Sequence, residues 1–165
     1  MGATLRVALP GVDRLECRPQ SVNLEAARMS DAHEELLAAN ETFYRAFARR
    51  DFEAMAALWS EDDEIACVHP GWDLLAGYRD VIESWREILA GPGGPKVRCH
   101  GARVFLFGEL GCVVCHEVLP EGVLVATNLF RLEGPDWRMV HHHSGPLAGE
   151  VPMERDAGPA GGTVH

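Results

Sequence analysis

The pattern of apolar and polar positions predicts three helices in the first half of the chain. Apolar residues recur at three-to-four spacing after Asp31, where Glu34 completes a capping-box-like start, and this first helix ends at Arg49. Its predicted inner face consists of Leu36, Leu37, Asn40, Phe43, Tyr44 and Phe47. Asp51 is expected to cap a short second helix over 52–59. A third helix is predicted over 78–90, where Gly91 ends it.

The second half of the chain has the composition and alternation of strands. A short apolar strand over 65–69 is stopped by Pro70. Four further strands are predicted over 97–107, 112–119, 123–132 and 137–144, separated by short turns rich in Gly and Pro. Sequential strands with short turns predict an antiparallel meander, so the fold class is α+β, with helices on one sheet face. A sheet that curls around its helices would enclose a cone-shaped cavity.

The last predicted strand contains three consecutive histidines, in the segment 137–146. Side chains alternate along a strand with period two, so His142 is predicted to share one face with Val140 and Ser144. His141 and His143 are predicted to share the other face with Met139. If one of these faces lines a core or cavity, its imidazole needs a hydrogen-bond partner.

The two ends of the chain lack a sustained period. We expect residues 1–29 to be a mobile extension, 30–148 the folded domain, and 149–165, rich in Gly, Pro and Ala, a disordered tail. The segment beginning at Met29 has the form of a natural start, which leads to the hypothesis that translation begins there.

The net charge limits the kinds of molecule that the protein is expected to bind. The chain has a formal charge of −10 and a single lysine, Lys96, which argues against binding nucleic acid or an anionic membrane. No apolar run approaches the roughly 20 residues that a membrane span requires. The first residues lack the apolar core of a signal peptide, so a cytoplasmic location is expected.

Neither the cysteines nor the histidines form a strong metal or redox pattern. Cys112 and Cys115 lie in a predicted strand, where residues three apart face opposite sides, so buried free thiols are favoured over a redox or zinc pair. His69, Glu117 and one or two of the three histidines could supply two imidazoles and a carboxylate to a metal. Consecutive histidines cannot all converge on one ion, however, so neither a metal nor a cofactor is predicted.

Several short motifs, in this order, resemble the nuclear transport factor 2-like superfamily. They are Asp51-Phe52, Trp59, His69-Pro70, Gly77, Cys112 to Val118, Thr127-Asn-Leu-Phe130 and the terminal segment from Trp137 to Pro146. Within the superfamily, the chain is most similar to SnoaL-like proteins and to the association domain of calcium/calmodulin-dependent kinase II. The resemblance covers about 30–148 and implies a curved sheet, a cone-shaped pocket and a homodimer formed through the open sheet face.

The same resemblance suggests which residues surround the pocket. Arginines line the pocket floor of the kinase association domain, and the corresponding positions here are Glu117, Asn128 and Ser144. This difference favours a neutral or cationic ligand over an anion. His69-Pro70 corresponds to the Asp-Pro dipeptide that supplies the base in ketosteroid isomerases. A histidine is suitable as a base near neutrality, although His69 could instead end its strand and bond a backbone group.

Strand parity adds further candidates for ligand binding. Glu117 shares a face with Cys115 and Leu119, and a buried carboxylate needs a partner, for which His142 is the preferred candidate. Such a pair could orient a substrate, transfer a proton or only hold the sheet. Asn128 could fix a ligand carbonyl or hydroxyl. Trp72, on the loop after His69, and Tyr44, on the first helix, complete the predicted ligand-binding set.

The function predicted from these features is that of a SnoaL-like pocket protein for a small organic molecule. Its chemistry would be that of a cofactor-independent isomerase, cyclase or lyase with His69 as the base. The alternative is a non-catalytic domain whose role is homo-oligomeric association.

Overall fold

A computed structural model describes residues 19–92 and 96–148 as three helices packed on a six-stranded sheet. The helices are α1 (Pro19–Arg49), α2 (Phe52–Leu58) and α3 (Tyr78–Ala90). The strands are β1 (Ala66–Val68), β2 (Leu75–Ala76), β3 (Arg98–Phe107), β4 (Leu110–Leu119), β5 (Gly122–Glu133) and β6 (Asp136–Pro146). The predicted α+β class is confirmed.

The sheet has the order β2-β1-β6-β5-β4-β3. Strands β3 to β6 form the predicted antiparallel meander. The first strand, β1, pairs with the last, β6, in parallel, so the sheet is mixed. This pairing places Cys67 beside His142. His69, the residue that follows β1, therefore lies close to the histidine segment of β6.

Helix α1 begins before the position predicted from the sequence. The expected start at Asp31 is wrong, because the helix already begins at Pro19 and includes residues 19–29 of the predicted extension. The side chains of Leu24 and Met29 are exposed there, so this part of the helix has no apolar stripe that a sequence pattern could reveal. Residues 1–18 and 149–165 lie outside the described residues.

The predicted inner face of α1 packs against the sheet. Leu36, Asn40, Phe43 and Tyr44 are buried, and Leu37 and Phe47 are partly buried. Close packing is visible at Gly111 of β4, where an added Cβ would lie 2.4 Å from a Leu36 methyl carbon. The caps agree with the sequence, since the Ala54 amide donates to Asp51 Oδ1 at 3.0 Å and Gly91 ends α3.

A β-bulge in β6 changes the predicted faces of the histidine strand. Leu129 pairs with His141, but the next residue, Phe130, pairs with Met139, so Val140 is the extra residue. The alternation predicted for His142 and Ser144 is correct, and both are buried on the helix side of the sheet. Met139 is also buried there rather than sharing the opposite face with His141, because the bulge inverts the alternation.

Among the described helices, none is long and apolar enough to cross a membrane.

Candidate functional site

A cavity of about 250 Å³ lies between the helices and the inner face of the sheet. Its wall is mostly apolar and consists of Phe43, Phe47, Pro70, Trp72, Trp85, Ile88, Val97, Leu119 and Leu124. Three polar side chains complete it, namely His69, Glu117 and His142. The sequence predicted all three, on three separate segments, and the fold brings them to one cavity.

His142 is held by a chain of side-chain hydrogen bonds behind the cavity. The Asn128 Nδ2 group donates to Asn40 Oδ1 at 2.7 Å, which leaves Asn128 Oδ1 as an acceptor 2.6 Å from His142 Nδ1. The His142 Nδ1 therefore carries the proton and Nε2 is the unprotonated nitrogen. Burial lowers the pKa of His142 to about 3, so the ring is neutral at pH 7.

Glu117 is held by two hydroxyl groups rather than by an imidazole. The Tyr44 hydroxyl donates to Oε1 at 2.9 Å, and the Ser144 hydroxyl donates to Oε2 at 2.5 Å. The predicted pairing of Glu117 with His142 is therefore wrong, because each has its own partners. Burial raises the pKa of Glu117, and the two hydroxyl bonds partly offset this effect by stabilising the carboxylate.

His69 immediately follows β1 and is almost completely buried. Its Nε2 lies 2.8 Å from Ser84 Oγ, and this hydroxyl donates to the Val81 carbonyl at 2.7 Å. The Ser84 oxygen is therefore the acceptor, so His69 Nε2 carries the proton and Nδ1 does not. Cys67 Sγ lies 3.8 Å from Nδ1, which makes at most a weak contact. Burial lowers the pKa of His69 to about 4.

The other predicted ligand-binding residues differ in their distance from the cavity. Trp72 lines it, is 45% exposed, and has its ring centroid 5.1 Å from that of His69. Tyr44 and Asn128 are buried behind the wall, where they position Glu117 and His142.

Two residues of the site were not predicted as such from the sequence. Ser84 is a polar residue on the apolar face of α3, beside Val81 and Trp85, and this interruption was the signal that could have identified it. Asn40 has the same character on α1, but a helical pattern does not show that its partner is Asn128 on β5.

The other described histidines and cysteines are not among the residues that line this cavity. His141 and His143 are on the opposite sheet face, and His141 Nδ1 lies 3.1 Å from the Ala66 carbonyl. Within 19–92 and 96–148, no three His, Cys, Asp or Glu side chains are grouped so as to hold a metal ion. Cys112 and Cys115 face opposite sides of the sheet as predicted, and both are free thiols.

The comparison with known protein families decides the identity of the domain. A family model described as a SnoaL-like domain matches residues 36–148, which contain the whole meander and every cavity residue. The chain belongs to the SnoaL-like family. The SnoaL-like match includes the histidine strand, β6, which lies between β1 and β5 in the sheet.

Solved structures similar to this SnoaL-like protein include two with about 30% identity. One, from Streptomyces avermitilis, is a candidate dehydratase of the nuclear transport factor 2-like family, with 30% identity, a TM-score of 0.67, and coverage of 73% of this chain and 99% of that chain. The other, from Thiobacillus denitrificans, is a candidate association domain of calcium/calmodulin-dependent protein kinase type II. It has 31% identity, a TM-score of 0.62, and coverage of 67% and 94%.

A plant protein shares the same region. The F-box protein SKIP8 of Arabidopsis thaliana is 31% identical over 111 residues, which are 66% of this chain and 48% of that protein. The chain thus spans about half the length of this curated relative.

Proposed function

We propose that this SnoaL-like protein binds a small organic molecule in the cavity and acts on it as a cofactor-independent isomerase, cyclase or lyase. The observation that carries the proposal is the placement of His69, Glu117 and His142 on one small cavity that is otherwise apolar. An apolar pocket with a few convergent polar groups is the usual form of a small-molecule site. The likeness to a candidate dehydratase supports a reaction that moves protons.

In this proposal His69 is the proton acceptor. Its ring is neutral at pH 7 because burial lowers its pKa to about 4, and its unprotonated Nδ1 has only a weak contact with Cys67 Sγ at 3.8 Å. The low pKa also makes the imidazole a weaker base than in water, so a transferred proton would be returned readily. Glu117, whose pKa is raised by burial, is the second group able to exchange a proton and orients the ligand. A proton removed from one ligand atom and returned to another gives an isomerisation without any further reactant.

Replacing His69 with alanine should abolish turnover of the bound molecule while leaving the fold intact. The ligand would first be identified by native mass spectrometry of the protein as purified, and its conversion would then be followed by chromatography. We expect a loss of at least about 100-fold in kcat, as is usual for removal of a general base. The control is His143→Ala, which removes an exposed histidine from the opposite sheet face. A His69→Ala protein with normal turnover would rule out His69 as the base.

The outer sheet face supports a second role, homo-oligomeric association. The open face of the meander carries partly buried apolar side chains, with large exposed ones at its β3–β4 end. They include Cys112, Val114, Val118, Val123, Val125 and Leu129, with Phe105, Phe107 and Leu110 exposed. Exposed apolar patches of this kind mark interaction surfaces. The likeness to a candidate kinase association domain agrees with a homodimer formed through this face.

A charge placed on this face should break the dimer. Val125 lies on β5 between His116 and Gly145, so Val125→Arg would place an unpaired cation in the middle of the interface. We expect dimer affinity to fall by at least about 100-fold, measured by analytical ultracentrifugation. Ala38→Arg, at an exposed position of α1, is the control and should leave the dimer unchanged. A natural protein that is monomeric at micromolar concentration would contradict the association role.

A further inference from the structure

The polar groups that line the cavity act as hydrogen-bond acceptors. Because His142 Nδ1–H donates to Asn128 Oδ1, the other ring nitrogen, Nε2, keeps its lone pair and has no hydrogen-bond partner among the described residues. Because Ser84 accepts from His69 Nε2, the unprotonated nitrogen of that ring is Nδ1, which has a weak contact with Cys67 Sγ at 3.8 Å. Glu117 accepts from two hydroxyls, and each carboxylate oxygen retains a further lone pair.

Strong donors are lacking on the same wall. Neither lysine nor arginine is among the described residues that line the cavity. The N–H groups of His69 and His142 already donate to Ser84 and Asn128, so the indole N–H groups of Trp72 and Trp85 are the side-chain donors that remain among these described residues. The Trp85 Nε1 atom is buried and has no partner in the described part of the chain. Four aromatic rings form much of the remaining wall, those of Phe43, Phe47, Trp72 and Trp85.

We infer that the cavity selects a primary ammonium group attached to a small apolar body. The inference rests on the proposed use of this cavity as a ligand site and specifies the class of molecule that it takes. The cavity volume of about 250 Å³ lies just below the range typical of drug-sized ligands. The matching ligand therefore has on the order of ten non-hydrogen atoms.

Three features favour the ammonium over other polar groups. An ammonium has three N–H donors and no acceptor, which matches a wall of acceptors, whereas an alcohol has one donor. The Glu117 carboxylate supplies the opposite charge, and the aromatic rings attract a cation through their π faces. Although burial raises the pKa of Glu117, an adjacent cation favours its charged form, so the ammonium and the carboxylate stabilise each other.

Three probes of nearly equal size test this inference by isothermal titration calorimetry at pH 7.5. They are 2-phenylethylamine, which is cationic, 2-phenylethanol, which is neutral, and phenylacetate, which is anionic. We expect the amine to bind about tenfold or more tightly than the alcohol, because only the amine adds a Coulombic attraction to the Glu117 carboxylate and two further N–H donors. Phenylacetate should not bind measurably, because its carboxylate would face Glu117 and two acceptor nitrogens.

The substitution Glu117→Gln removes the negative charge of this side chain while nearly keeping its shape, so it tests the contribution of the charge. In this variant the affinity for the amine should fall by at least about tenfold and by more than that for the alcohol, which loses only one hydrogen bond to a charged acceptor. An unchanged near-ultraviolet circular dichroism spectrum shows that the cavity wall is intact. Equal binding of amine and alcohol by the natural protein, or unchanged amine binding by the variant, would overturn the ammonium inference but leave the cavity as a ligand site. Binding of none of the probes would count against both proposals. Should the variant not fold, the three probes on the natural protein decide the question.

Discussion

Asn128→Ala is expected to lower the free energy of unfolding by about 3–5 kcal/mol. The Asn128 side chain bonds both His142 Nδ1 and Asn40 Oδ1, and all three residues are buried. Truncation leaves a donor and an acceptor without partners, and each such buried group costs about 1–3 kcal/mol. Urea unfolding followed by circular dichroism measures the loss. In the variant without ligand, the His142 ring should also become mobile, since its Nδ1–H has lost the acceptor that holds it.

The matched control for this variant is Thr127→Ala. Thr127 is the neighbouring residue of β5, lies on the opposite sheet face, and is only partly buried. Its truncation removes a similar number of atoms without breaking the inner network, so a loss of roughly 1 kcal/mol or less is expected. Equal losses in the two variants would show that the network adds nothing beyond ordinary packing.

Acidification from pH 7.5 to 5.5 should destabilise the fold through its two buried imidazoles. Burial lowers the pKa of His142 from 6.5 to about 3 and that of His69 from 6.5 to about 4. Above pH 6.5 both rings are neutral in the folded and unfolded chains, so stability is independent of their titration. Below pH 6.5 only the unfolded chain takes up these protons, so stability falls until the pH reaches the folded pKa values. At pH 5.5 the two rings together account for a loss of about 2–3 kcal/mol.

A variant separates this effect from other titrating groups. The raised pKa of Glu117 acts in the opposite sense, because the folded protein binds that proton more tightly than the unfolded chain. The half-buried His141, whose pKa is lowered by burial, adds to the loss. His142→Gln should therefore reduce the pH-dependent loss by about 1.4 kcal/mol at pH 5.5, measured as the difference between urea unfolding at the two pH values. An unchanged pH dependence would show that His142 is not neutral in the folded protein.

Elements with a strong local pattern were predictable from the sequence. Helix α3 has the predicted bounds, 78–90, because its apolar stripe is regular and glycine lies at both ends. The strands of the meander were predicted to within about two residues, since Gly and Pro turns separate them. The start of α1 was missed because Leu24 and Met29, the large apolar residues described in its first part, are exposed and form no buried stripe. The two-residue strand β2 is too short to give a pattern.

In the candidate site, too, some features were predictable from the sequence and others were not. Glu117 and His142 were identified because a polar side chain between apolar neighbours on a strand must find a partner. His69 was identified because His69-Pro70 resembles the Asp-Pro dipeptide of ketosteroid isomerases. Their partners were not identified correctly. Parity shows which residues share a face within one strand, but it gives neither the register between strands nor the distance to the helix above. The structure assigns Tyr44 and Ser144 to the carboxylate and Asn128 to the imidazole.

The sequence by itself determined the α+β class, the meander, and which residues of most strands share a face, because these follow from local periodicity and turn chemistry. Only the tertiary structure decided the parallel pairing of β1 with β6, the bulge at Val140 and the partners of the buried polar groups. Each of these depends on contacts between residues far apart in the chain. The proton positions on His69 and His142, and with them the acceptor character of the cavity, are set by Ser84 and Asn128, which only folding brings within hydrogen-bond distance.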